Sequence, residues 1–298
     1  MFEDKDSNKN QSNEEKIAEQ KRASMGQTFK DRQLIQQRLA DVKHKMMVLS
    51  GKGGVGKSTV AVNIAASLAH KGHKVGLLDI DVHGPSIPKL MGLEGHPLDG
   101  TENTLYPVKK GDNLNVMSVG FLTQRRDDAI IWRGPLKFSL IRQFLRDVEW
   151  GALDYLVIDS PPGTGDEPLT ISQLLPDLDG AILVTTPQDL AVEDVRKSIS
   201  FCRQVNMKIL GVVENMSGFI CPKCGEVTEI FKTGGGKRMA EEMGVPFLGS
   251  IPMDAKIVQA SDLGTSFVEH YPKTDTANVF EDIIRPILNL QKKEQEQS

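Results

Sequence analysis

The nine residues GKGGVGKST, Gly51 to Thr59, constrain this chain more than any other stretch. They follow an apolar run, MMVLS, and open KSTVAVNIAASLAHKG, which has a helical pattern. G-x-x-x-x-G-K-[ST] between a strand and a helix has a physical purpose. Its glycines let the backbone curl until successive N–H groups point inward, and the helix N-terminus adds partial positive charge. Such a loop cradles phosphate. Here the cradle comprises Gly51, Lys52, Gly53, Gly54, Val55, Gly56, Lys57, Ser58 and Thr59. Lys57 is expected to reach the β- and γ-phosphates, and the Ser58 hydroxyl to ligate Mg2+.

Around this loop, short β-branched runs alternate with helical patterns. LLDID, LNVMSVG, YLVIDS, GAILVTT, KILGVVEN and PFLGSIP read as strands, several of them nearly continuous in apolar residues. Strands covered on both faces have that character. The expected fold is α/β, a mostly parallel, doubly wound sheet with helices on both faces. Residues 1–42 read as a polar tail, disordered or partly helical, because Ile17, Met25, Phe29, Ile35 and Leu39 are too sparse for a firm apolar face. Residues 43–291 form one domain, and 292–298 a polar C-terminal tail.

A formal net charge of −4 gives no global reason to bind nucleic acid. Three cysteines cannot build a disulfide framework, and no apolar run reaches the length of a membrane span. The start, MFEDKDSNKNQSNEE, is neither a signal peptide nor an Arg-rich transit peptide. The expectation is a cytoplasmic protein with neither nucleic acid nor membrane as partner.

Two acidic strand ends complete the phosphate site. LLDIDVHGPS puts Asp79 and Asp81 two apart, hence on one face of a strand. YLVIDSPPGTGDE puts Asp159 after a hydrophobic run, where a carboxylate can reach magnesium through water. The glycines of PPGTGDE suit a segment that rearranges when a phosphate leaves, while Pro161 and Pro162 stiffen its entry.

CPKCG, Cys221 to Gly225, poses a separate problem. A metal held by thiolates alone normally takes four, and the third cysteine, Cys202, lies in a helical pattern. No second CxxC pair and no H-x(3–5)-H pair exists in the chain. A thioredoxin-like redox pair would follow the first strand of a small βαβ unit, not a late strand. A bare knuckle turn without metal remains open.

The loop KGGVGKS, with Lys52 directly after the first glycine, resembles the deviant phosphate loop of the SIMIBI class of P-loop NTPases. The resemblance implies that Lys52 reaches the nucleotide of a partner subunit, so that two protomers sandwich two ATP molecules. It further implies that Lys52, Lys57 and Asp81 are catalytic, Asp81 orienting the attacking water. Asp79 and Asp159 would support magnesium, and Asn215, Pro252 and Asp254 would surround adenine. In such a homodimer, a CPKC pair near the two-fold axis gains its missing ligands from the second copy. Four thiolates there suit a 4Fe–4S cluster, or one tetrahedral zinc.

GKGGVGKS, LLDIDVHGPSIPKLMG, IWRGP, YLVIDSPPGTGDE, VVENMSGFICPKCG and FKTGGGKRMAE occur in this order. Together they resemble the Mrp/ApbC family of iron–sulfur cluster carriers, over about Met46 to Leu290. That resemblance implies an ATP-hydrolysing carrier, with slow turnover, that passes a labile 4Fe–4S cluster to apo-proteins. Lys232 stands where the family motif has glycine, with little consequence expected. The tail carries no cysteine for a further cluster and no folded domain. Three other readings compete. A MinD/ParA-like positioning ATPase leaves CPKC without a role, and Pro286 interrupts the amphipathic stretch that would bind membrane. An electron-transfer ATPase resembling nitrogenase iron protein has its cysteines widely separated, and a zinc-bridged, nucleotide-switched dimer is the plainest alternative.

Overall fold

A computed structural model describes residues 30–82, 84–101, 103–122, 134–221 and 223–295. Most of the polar N-terminal stretch, the first three residues of IWRGP, His83 and Pro222 lie outside them. The order is α1 (30–38), β1 (Val42–Ser50), α2 (Lys57–His70), β2 (Val75–Asp79), α3 (Ile87–Leu90), β3 (Asp99–Thr101), β4 (Thr104–Tyr106), β5 (Val108–Lys110) and β6 (Leu114–Ser118). Then come α4 (Gly134–Asp147), β7 (Leu153–Asp159), α5 (Asp166–Leu174), β8 (Gly180–Thr185), α6 (Asp189–Gln204), β9 (Ile209–Glu214), β10 (Phe219–Ile220) and β11 (Val227–Thr228). The chain ends with α7 (Gly235–Glu242), β12 (Phe247–Ser250), α8 (Ala255–Asp262), α9 (Phe267–His270) and α10 (Asp275–Gln295).

Eight strands form one sheet in the order β12-β9-β8-β1-β7-β2-β6-β5. Every pairing in it is parallel except that of edge strand β5 with β6. The doubly wound expectation therefore holds, with one antiparallel edge added. From β1 the chain crosses through α2 to β2 in one direction along the sheet, and from β8 through α6 to β9 in the other. Right-handed crossovers in opposite directions put their helices on opposite faces. β2, β7 and β8 are almost wholly buried, which is why their sequences are apolar without alternation. Ligands of such a sheet lie beyond the carboxyl ends of the strands, where the winding reverses. The loop after central strand β1 occupies that place.

Two boundaries differ from the sequence reading. Ile35 and Leu39 are in the core, and buried Asp31 faces Arg142 and Arg146 of α4 at 3.8 and 3.6 Å. Packing thus begins upstream of residue 43, since two well-spaced apolar side chains and one buried carboxylate suffice to dock α1. At the other end, α10 runs through Pro286 and continues to Gln295. Proline removes one helical hydrogen bond at a cost of about 3 kcal/mol. Burial of Phe280, Ile283, Ile284 and Ile287, in a helix lying against α2 and β12, offsets it.

Candidate functional site: phosphate loop, base cavity and thiol hairpin

The phosphate loop is fixed by close approach. A Cβ on Gly51 would lie 2.4 Å from the Asp194 carbonyl carbon of α6, and Gly56, at φ +80°, caps α2 in a left-handed conformation. Lys52, Gly53, Gly54, Gly56 and Lys57 line a cavity of about 270 Å3 together with Ser58, Thr59, Asp81 and Pro162. Lys57 is buried, with Nζ 2.6 Å from Asp159 Oδ1, 3.9 Å from Asp81 Oδ2 and 3.3 Å from Ser58 Oγ. Lys57, Ser58, Asp81 and Asp159, predicted from three separate motifs, therefore meet.

Asp159 is fully buried and its Oδ2 has no hydrogen-bond partner. Burial pushes its carboxyl above the ordinary range, and Lys57 opposes that shift. An orphaned carboxylate oxygen beside a serine hydroxyl is a donor set suited to a hard divalent cation. These residues fit magnesium.

Asp79 departs from its expected direction. β2 ends at Asp79, and Asp81 lies beyond it in a turn, so the two do not share a strand face. Asp79 Oδ1 accepts from the Asp81 N–H at 3.0 Å; Oδ2 accepts from Ser118 Oγ at 2.9 Å and the Ile87 N–H at 3.3 Å. It holds the backbone that carries Asp81. Burial first, and the Asp159 charge second, push its carboxyl up to about 7. The entry to PPGTGDE is tied to β1, with Ser160 Oγ donating to Val48 O at 2.9 Å and the Gly163 N–H to Ser50 O at 2.7 Å.

A second cavity, of about 500 Å3 and mostly apolar, adjoins the first at Gly56, Thr59 and Leu90. Asn215, Pro252 and Asp254 line it, together with Met216, Phe219, Ile230 and Met253. Two of the three have other work. Asn215 Nδ2 donates to Val55 O at 2.9 Å, which braces the phosphate loop. Asp254 caps α8 through the Lys256 N–H at 2.9 Å and accepts from Thr276 Oγ1 at 3.0 Å. Both Asp254 oxygens are thus engaged within the fold, as an aspartate before a helix commonly is.

The thiols sit at the tip of the hairpin β10–β11, with Cys224 exposed and Cys221 partly so. The Gly225 N–H donates to Cys221 O and the Cys221 N–H to Glu226 O, each at 2.9 Å. Backbone N–H groups of Cys224 and Lys223 lower the Cys221 thiol below its usual range. Cys202, buried in α6, is pushed up to about 12 by desolvation. Among the described residues, no group of three or more His, Cys, Asp or Glu is arranged to hold a metal. Cys221 and Cys224 are thus two free thiols with no third His, Cys, Asp or Glu grouped with them among the described residues.

Sequence reasoning missed Glu214. It is fully buried at the end of β9; Oε1 accepts from Ser217 Oγ at 2.5 Å and the Gly234 N–H at 2.8 Å, and Oε2 from the Gly236 N–H. One carboxylate thus holds both roots of the segment that carries the hairpin, and the N-terminus of α7. The signal was available. Glu214 ends an apolar strand, as Asp79 and Asp159 do. Lys232, in the position of the family glycine, keeps a left-handed φ of +67° and pairs with Asp189 at 2.7 Å.

Residues 41–288 match the family model of the NUBPL iron-transfer P-loop NTPases, within the ParA group. The chain is 53% identical over 253 residues to a cytosolic Fe–S cluster assembly factor, the NUBP2 homologue of Culex quinquefasciatus, covering 84% of this chain and 98% of the relative. A nucleotide-binding protein of Archaeoglobus fulgidus, solved with ADP, is 40% identical and superposes with a TM-score of 0.69, covering 82% of this chain and 98% of its own. The cell division ATPase MinD of Pyrococcus furiosus shares the fold at 24% identity, with a TM-score of 0.61, 84% of this chain and all of the other being covered. With the phosphate loop and acidic strand ends on one sheet and the paired thiols on a separate hairpin beside it, this chain belongs to the NUBPL iron-transfer family of P-loop NTPases.

Proposed function

We propose that the protein is an ATP-hydrolysing carrier that accepts a 4Fe–4S cluster as cargo between two protomers and delivers it to apo-proteins in the cytoplasm. The observation that carries this reading is the Cys221–Cys224 hairpin. It is a hairpin with two free thiols beside an NTPase sheet, and backbone N–H groups lower one of those thiols toward the ligating thiolate. The cytosolic Fe–S assembly role in the name of its 53% identical relative supports the same reading. Among the described residues no helix is long and apolar enough to cross a membrane.

In this mechanism the loop N–H groups and Lys57 hold the phosphates of ATP, and the Pro252 region borders the base. Ser58 and Asp159 would hold magnesium, which when bound would supply positive charge against the phosphate oxygens. Asp81, at the cavity edge, orients the attacking water, and Asp79 fixes the backbone of Asp81. Lys52 reaches across to the nucleotide of the second protomer. Hydrolysis resets the dimer arrangement through PPGTGDE and so changes access to the cargo.

The test is iron, sulfide and mass after anaerobic reconstitution of the wild type and Cys224→Ala. The expected result is about four iron and four sulfide per dimer, lost in the variant. Zinc in place of iron and sulfide would support the zinc-bridged dimer instead.

A further inference from the structure

The wall between the base cavity and the thiol hairpin is a single stretch of chain, Asn215 to Cys221. Asn215 holds the Val55 carbonyl of the phosphate loop. Met216 follows with φ +58°, unusual for a residue with a side chain, and its Cε would lie 3.7 Å from a Cβ on Gly56. The Ser217 N–H donates to Ile251 O at 2.9 Å, and the Met253 N–H to Gly218 O at 2.7 Å. Phe219 then pairs with Met253 on one side and with Thr228 of β11 on the other, and it lines the base cavity. Two residues later comes Cys221. Ile230, just past β11, returns to the same cavity. Both arms of the hairpin therefore contribute apolar surface to the space beside the phosphates, while Ile220 and Val227 of its two strands are exposed.

We infer that Phe219 is a base-contacting residue through which a bound nucleoside steadies the Cys221–Cys224 hairpin. The base itself, and not the phosphates alone, then reports to the thiols. The physical reason is continuity. A small two-stranded hairpin is marginal by itself, and here its inner face is completed by whatever fills the cavity. An aromatic base against Phe219 and Ile230 adds apolar contact to both arms at once. The path needs neither the PPGTGDE segment nor a second protomer. The inference rests on the reading of the 500 Å3 cavity as the base site.

The experiment compares MgADP with magnesium pyrophosphate, which carries the same phosphates without the nucleoside. It uses the reduced, metal-free full chain. Affinity is read by calorimetry, and the alkylation rates of Cys221 and Cys224 by mass spectrometry. MgADP should slow alkylation at least about fivefold, and pyrophosphate should not. Phe219→Ala should remove the slowing and weaken ADP about tenfold, with pyrophosphate affinity unchanged. Phe219→Leu should restore most of both effects. Ile230→Ala, at the opposite arm, carries the same expectation should Phe219→Ala fail to fold. Equal slowing by pyrophosphate would overturn the inference, as would full slowing in both alanine variants. Tighter binding of ADP with unchanged thiol rates would also overturn it while leaving the base site standing. ADP binding no more tightly than pyrophosphate would overturn the base site as well.

Discussion

At the scale of single residues, the site is built from side chains that hold backbone as much as from those that face the phosphates. Asp79 is the clearest case. Its two oxygens accept three hydrogen bonds, from the Asp81 N–H, from the Ile87 N–H that opens α3 and from Ser118 Oγ. Asp79→Asn replaces one accepting oxygen by a donor and sets N–H against N–H. A loss of about 1–3 kcal/mol in stability is expected by denaturant titration, together with reduced ATP turnover. Thiol reactivity gives a second prediction. With Cys221 below its ordinary range and Cys202 near 12, the Cys221 thiolate fraction should rise with pH earlier than that of a free thiol. Alkylation near pH 8 should modify Cys221 and Cys224 and spare Cys202 in the folded chain. A rapid third modification would count against the burial of α6.

At the scale of elements, Glu214 determines where the hairpin segment begins and ends. Glu214→Gln retains the shape but loses the charge and one acceptor. A helix N-terminus and a buried N–H would then be less well satisfied. The expected outcome is faster hydrogen exchange over residues 217–236, with the β1, β7 and β8 amides unchanged. All the long parallel strands and the helices α2, α4 and α6 were legible, because continuous apolar runs and 3.6-residue spacing survive in the sequence. The phosphate loop was legible because its glycines and lysine have one physical use together. The short hairpins β3–β4 and β10–β11 and the edge strand β5 were not legible. Each has two or three residues, too few for a period to declare itself. The second duties of Asn215 and Asp254 were hidden for a different reason. Asn215 reaches Val55, 160 residues away, and Asp254 joins a local helix cap to Thr276, 22 residues on, a pairing that only the fold makes.

At the scale of the whole molecule, the folded unit includes the helix before β1. Ile35→Ala tests this directly. Burial of Ile35 predicts a loss of about 2–5 kcal/mol on thermal or chemical denaturation, whereas a residue in a solvated tail would cost nothing. The sheet then divides its labour along one edge. The phosphate loop, Asp79 and Asp159 lie at the carboxyl ends of β1, β2 and β7, while the segments after β9 and β12 line the 500 Å3 cavity beside the thiol hairpin. Glu214 has a consequence for how such a molecule can vary. Because the chain leaves at Ser217 and returns at Gly234 to one carboxylate, the segment between them is a closed loop whose ends already meet. Lengthening such a loop costs little closure entropy, on the order of 0.6 kcal/mol per doubling. The thiol-bearing tip is therefore an exchangeable cartridge, free to change length or composition while the sheet beneath it keeps its sequence.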